Sequence, residues 1–139
     1  MPHPRRIRDS DYARLLAVRT GLRQFEHWSA ERAGEHGLTA SQHQLLLAVR
    51  GHDDPQGPTI GQVAEYLLIR HHSAGELVDR SVAAGLVLRS RDDDDHRIVR
   101  LRLSAHGART LASLTSAHLE ELERLTPLFE SMLGTLTGG

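Results

Sequence analysis

Two groups of polar side chains in this chain have the types and spacing to do recognisable chemistry. The first is Asp92-x-x-Asp95-x-Arg97, followed at once by Leu101-x-Leu-Ser-x-x-Gly107. A guanidinium near the tip of a tight, charged loop is a permanent planar cation that can grip a carboxylate or phosphate through two parallel N–H bonds. The narrow minor groove of DNA, with its negative potential, draws such an arginine. The second group is Arg70, His71, His72 and Ser73, with Gly75 and Glu76 behind them. Arginine and histidine donate to phosphate or to guanine N7 and O6, serine serves phosphate or base, and glutamate accepts from cytosine N4. Gly75 leaves room for close approach.

Catalytic and metal chemistry fit less well. The chain has ten histidines and no cysteine, which excludes disulfides and thiolate metal sites. His36, His43, His106 and His118, with Glu31 or Glu35, could converge, but their spacing matches no metal signature, so no metal is expected. There is no G-x-S-x-G, no glycine-rich phosphate loop and no recognisable carboxylate pair, so neither an enzyme nor a cofactor is expected.

The elements that must position these groups follow from periodicity and capping. Asp9 or Ser10 can cap a first helix in which Leu15, Val18, Leu22 and Phe25 recur at helical spacing, ending by Gly34 and Gly37. Thr39-x-x-Gln42 is a capping box for a second helix through Leu45, Leu46 and Val49, and residues 51–58 form a loop. Thr59-x-x-Gln62 opens a third helix carrying Ile60, Val63, Ala64 and Leu67. A fourth holds Ala74, Leu77, Val78 and Val82, stops at Gly85, and could start at a Ser73-x-x-Glu76 box or near Arg70. Val99, Leu101 and Leu103 alternate with Arg100 and Arg102 as a half-buried strand does. Ser104 can cap a helix through Leu111, Leu114, Leu119, Leu122 and Leu125, and Pro127 suits the first turn of a final helix with Leu128, Phe129, Met132, Leu133 and Leu136.

A helix followed by a hairpin with an arginine near its tip is the layout of a winged helix. The Asp92, Asp95, Arg97 pattern with Leu101 to Gly107 resembles the wing signature of MarR-type transcriptional regulators, and the likeness runs over about residues 10–137, most strongly from Leu38 to Gly107. The expected fold is therefore mainly α with a small two- to three-stranded β wing, a winged helix-turn-helix core flanked by N- and C-terminal dimerisation helices. The corresponding divisions are residues 1–37, 38–107 and 108–139.

The resemblance places the cap of the fourth helix near Arg70 and makes Asp95 the residue that orients Arg97; Asp79, in a V-D-R run like the family's, is read as an internal partner for an arginine because phosphates repel a carboxylate. It implies a homodimer bound to a pseudo-palindromic operator on double-stranded DNA, acting as a repressor. A small aromatic effector would sit in a crevice near Phe25, Trp28, His43 and Tyr66. Asp93 and Asp94 depart from the family pattern by adding negative charge near the duplex, and are read as a solvated turn. A winged-helix dimer working mainly through protein contacts is the competing reading.

Composition fits a globular chain, with 39% apolar and 25% charged residues and a net charge of -1, so DNA affinity must come from local charge placement. All 17 basic residues are arginine, which genomic codon bias explains more simply than phosphate recognition. No apolar run approaches about 18 residues, and residues 1–10 lack the apolar core of a signal peptide, so cytoplasm and no membrane association are expected.

Overall fold

The computed structural model describes residues 4–137, with side chains through residue 133. Five helices and one hairpin follow in the order α1 (Asp9–Glu35), α2 (Ala40–Gly51), α3 (Ile60–Leu67), α4 (His71–Ala83), β1 (Val87–Arg91), β2 (Val99–Leu103) and α5 (Ala105–Thr137).

Local chemistry sets most boundaries. In the box before α2, Gln42 N–H donates to Thr39 Oγ1 and Thr39 N–H to Gln42 Oε1, each at 3.0 Å. Thr59 and Gln62 repeat this before α3. Ser104 Oγ accepts from Gly107 N–H at the start of α5 and donates back to the carbonyls of Gly85 and Leu86. Gly107 permits this close seating, because a Cβ there would fall 2.1 Å from the Leu86 carbonyl oxygen.

The core lies between α2, α3, α4, the base of the hairpin and the first turns of α5. Leu45, Leu46, Val63, Leu77, Val78, Val87, Leu101 and Leu114 are large apolar side chains fully enclosed in it. Each fully buried leucine contributes about 1.5–3 kcal/mol through removal of apolar surface from water. The two-stranded antiparallel sheet pairs Val87 with Leu103, Arg89 with Leu101 and Arg91 with Val99. Its second strand is tied to the loop before α3 by Leu101 N–H donating to the Pro58 carbonyl at 2.9 Å. The fold is mainly helical with a two-stranded wing, as the sequence implies.

Two expectations need correction. Helix α1 begins at Asp9, with Arg8 as its cap and the Asp11 carboxylate accepting from Arg8 N–H at 2.9 Å, instead of being capped by Asp9 or Ser10. Leu15 and Leu22 on the apolar stripe of α1 are at least half exposed, and Ala33 is the buried residue of the helix. After the wing there is one helix, not two, because α5 continues through Pro127. Proline removes one N–H, so the helix loses the bond that Glu123 C=O would have accepted, and Thr126 Oγ1 donates to Leu122 C=O one residue before that gap. The Leu136 side chain lies outside the described residues.

Candidate nucleic-acid interface

Helices α3 and α4 are joined by a short turn in which Leu68 takes a left-handed backbone and Ile69 N–H donates to Ala64 C=O at 3.1 Å. Helix α4 then starts at His71 with Arg70 as N-cap. The competing start at Ser73 loses because Ala74, Leu77, Val78 and Ser81 bury one continuous face, which needs the helix a turn earlier than the Ser73-x-x-Glu76 box would begin it.

Burying that face turns Arg70, His71, His72, Ser73 and Glu76 outward, with Gly75 half-buried between them. Arg70 supplies no side-chain acceptor, so its cap leaves the first N–H groups of α4 without the partner that serine or threonine would give. His72 Nε2 lies 3.0 Å from Glu76 Oε1, a pair one helical turn apart that holds the glutamate beside the imidazole. A Cβ at Gly75 would meet nothing within 4 Å.

The wing is built around a buried carboxylate. Asp92 is 5% exposed, and its Oδ1 accepts from the N–H groups of Asp94 and Asp95 at 2.8 and 2.9 Å. Its Oδ2 meets Nε and Nη2 of Arg100, both at 2.9 Å. Arg100 also donates to Gly57 C=O at 3.3 Å and approaches Asp54 at 3.9 Å, while Asp93 N–H donates to Gln56 Oε1 at 2.9 Å. The wing is thus anchored to the loop before α3.

On that base the Asp95 carboxylate takes Nε and Nη2 of Arg97, each at 3.0 Å, and the Arg97 backbone N–H at 3.1 Å. This two-pronged grip leaves the Arg97 side chain 91% exposed but aimed. The Arg97 guanidinium and then its backbone N–H hold the Asp95 carboxyl below the usual carboxylate range. Asp79 pairs with Arg89 of β1, as expected for an internal partner, and links α4 to the wing.

The N–H groups of Asp95 and Asp94, and then the Arg100 guanidinium, likewise hold Asp92 below the carboxylate range. A group whose folded value is depressed stabilises the fold above its unfolded value, and that contribution disappears as pH falls through the folded one. The stability gap between wild type and Asp92→Asn should therefore be full near neutral pH and narrow steadily below about pH 4. Urea titrations at several pH values measure it, and a gap constant down to pH 2 would contradict the assignment.

Between α1, α2 and α5 lies a cavity of about 750 Å³, lined by Phe25, Ser29, His43, Leu47, His118 and Leu122 among others. His118 Nδ1 donates to Leu114 C=O at 2.7 Å, which leaves Nε2 to accept from Ser29 Oγ at 2.6 Å. The His43 and His118 ring centres are 4.7 Å apart, and burial followed by the nearby His118 and His36 pushes His43 below the usual imidazole value. Among the described residues no group of three or more His, Cys, Asp or Glu side chains could hold a metal ion.

Of the four residues expected at the crevice, Phe25 and His43 line this cavity. Trp28 stacks on Phe25, packs on the His118 edge and lines an adjacent cavity of about 800 Å³ between α1 and the far half of α5. Tyr66 is a correction: it sits at the end of α3 with its hydroxyl 2.8 Å from His52 Nδ1, away from both cavities. Sequence reasoning missed Arg100, Gln56 and the Ser29–His118 bond. The polar loop of residues 51–58 was the available signal for the first two, since a glutamine and two aspartates facing a charged hairpin can bridge to it.

The model of the MarR family matches residues 36–98, from the end of α1 to the wing. Among solved structures, a MarR family protein from Bacillus stearothermophilus is 22% identical with a TM-score of 0.75, over 95% of this chain and 96% of that one. AbsC, a MarR family transcriptional regulator from Streptomyces coelicolor, is 18% identical with a TM-score of 0.72, over 94% and 99%. The S. aureus MepR–DNA complex is 19% identical with a TM-score of 0.69, over 95% and 96%. At these identities the structures establish a shared fold. No curated protein matches the chain by sequence.

Proposed function

We infer that this chain, a MarR-type winged-helix protein by its family match over residues 36–98 and by its fold, is a DNA-binding transcription regulator acting on a pseudo-palindromic operator as a homodimer. The observation that carries the reading is the start of α4, where Arg70, His71, His72 and Ser73 are all exposed while the opposite face is locked into the core. A helix presented this way fits the major groove, where its first turns meet base edges and phosphates. Arg97, fixed by Asp95, would enter the neighbouring minor groove. MepR, which shares this fold, is solved bound to DNA.

The dimer reading rests on the exposed apolar side chains of the long helices: Leu15, Leu16 and Leu22 on α1, and Leu119, Leu122 and Leu128 on α5. Such an apolar surface is more than a monomer leaves in water. Two chains meeting through these helices around a two-fold axis would set their α4 helices in successive major grooves, about 34 Å apart. Light scattering at micromolar concentration should give twice the chain mass, and a chain mass would contradict the dimer.

We assign repression as the regulatory sense, with the cavity between α1, α2 and α5 as the seat of a small aromatic effector that releases DNA. Its apolar walls and the His118–Ser29 pair at its side suit a flat ligand with one polar group. A gel shift on the DNA upstream of the gene, at two salt concentrations, tests the main reading: a shift that weakens with salt is expected. No retardation at either salt would favour a dimer that works through protein contacts.

A further inference from the structure

Leu68 is the non-glycine residue with a left-handed backbone among those described, at φ 55° and ψ 44°, and its side chain is 91% exposed. A left-handed backbone crowds Cβ against the following carbonyl, whereas glycine adopts it freely. The fold makes no use of the side chain in return. Its neighbours do the packing: Leu67 is half-buried against the core and Ile69 N–H closes the turn onto Ala64. The left-handed backbone is the cap that ends α3, with Leu68 N–H on Glu65 C=O and Ile69 N–H on Ala64 C=O, but a solvated leucine where glycine would carry no strain is an outlier that folding does not explain.

Its place suggests what it is for. The turn leads straight into the exposed side chains of Arg70, His71 and His72, with Ile69, 37% exposed, between them. An apolar group beside the Arg70 guanidinium and two imidazole donors complements a surface that sets methyl groups beside phosphates, as thymine C5 methyls are set along the major groove wall. A protein partner fits less well, since Leu68 and Ile69 stand between Glu65 and Arg70 and form a patch far smaller than a stable protein interface buries. We propose that Leu68 is a specificity-determining residue that packs on the C5 methyl of a thymine in each half-site. This rests on the DNA-binding reading above.

The test starts from a duplex enriched by the wild-type protein from a random-sequence pool. Affinities of wild type, Leu68→Gly and Leu68→Ala are measured on that duplex and on copies with deoxyuridine replacing each thymine in turn. Thermal melts of the three proteins run alongside. Wild type should lose about fourfold at one thymine per half-site, the worth of one methyl group removed from water. Both variants should lose about sixteenfold on the parent duplex, fourfold in each half-site because both protomers carry the change, and nothing further on that deoxyuridine copy. Leu68→Gly should melt no lower than wild type, because the strain is gone.

Unchanged affinity in both variants, or equal further losses on the deoxyuridine copy, would overturn the proposal. So would a marked fall in the melting temperature of Leu68→Gly, which would make Leu68 a folding residue. Should the wild-type protein enrich no duplex at all, the DNA-binding reading fails and takes this one with it; an enriched duplex indifferent to residue 68 sinks this one alone.

Discussion

Gly57→Ala should destabilise the folded protein by about 3 kcal/mol, combining the strain of a left-handed Cβ with the clash of overpacking. Gly57 has φ +90°, and a Cβ built there would stand 1.8 Å from the Leu101 carbonyl oxygen, a backbone atom that cannot rotate away. Relief requires moving either the loop before α3 or strand β2, and both belong to the anchor in which Arg100 reaches Gly57 C=O and Leu101 N–H reaches Pro58 C=O. Gly107→Ala faces a similar clash with Leu86 but has an ordinary backbone, so its expected cost is smaller, about 2 kcal/mol. Gly75→Ala is the internal control. Open space and a helical backbone should make it neutral or stabilising by about 0.5–1 kcal/mol. Urea unfolding with an unchanged m-value ranks the three, and a Gly57→Ala midpoint equal to that of wild type would contradict the geometry.

Arg97→Ala should weaken binding to the operator by about 1–3 kcal/mol, the range for a good specific contact, with little change in stability because the side chain is almost wholly exposed. Asp95→Ala should lose less. It removes the grip at Nε and Nη2 but leaves the cation, which then samples directions that Asp95 forbids. Asp93→Asn and Asp94→Asn should bind as well as wild type or more tightly, since these exposed carboxylates oppose phosphate and the anchoring bond at Asp93 comes from its backbone N–H. Titrating each variant against one duplex decides the matter. Tighter binding by Arg97→Ala would contradict the minor-groove role.

The features legible in the sequence were those whose physics is local. Thr39 with Gln42, Thr59 with Gln62, and Ser104 with Gly107 each satisfy backbone donors within three residues, so their spacing alone announces a helix start. Asp95 and Arg97, two residues apart, belong to the same class. What escaped notice was decided at a distance. Asp92 was legible as the first acid of the wing pattern but not as its buried anchor, because its partners, Arg100 and the loop at Asp54 to Gly57, converge only after folding. Locally the Ser73-x-x-Glu76 box is a better cap than Arg70, and only burial of Ala74 and Leu77 reverses the preference. Pro127 misled for a related reason: proline at a helix start is a statistical preference, whereas an exposed helix can run through it at the loss of one bond.

The unbroken run of α5 makes a lever of it. Its near end is bolted to the base of the wing through Ser104, and the remaining 33 residues give an arm of about 50 Å. With a pivot at the far end, a swing of about 5° moves the near end by roughly 4 Å along an arm of that length. Two such arms in a symmetric pair would shift their α4 helices by twice that, a sizeable part of the about 34 Å between grooves. A small rotation applied beyond Pro127 would therefore be amplified most at the end of α5 that carries the wing and α4.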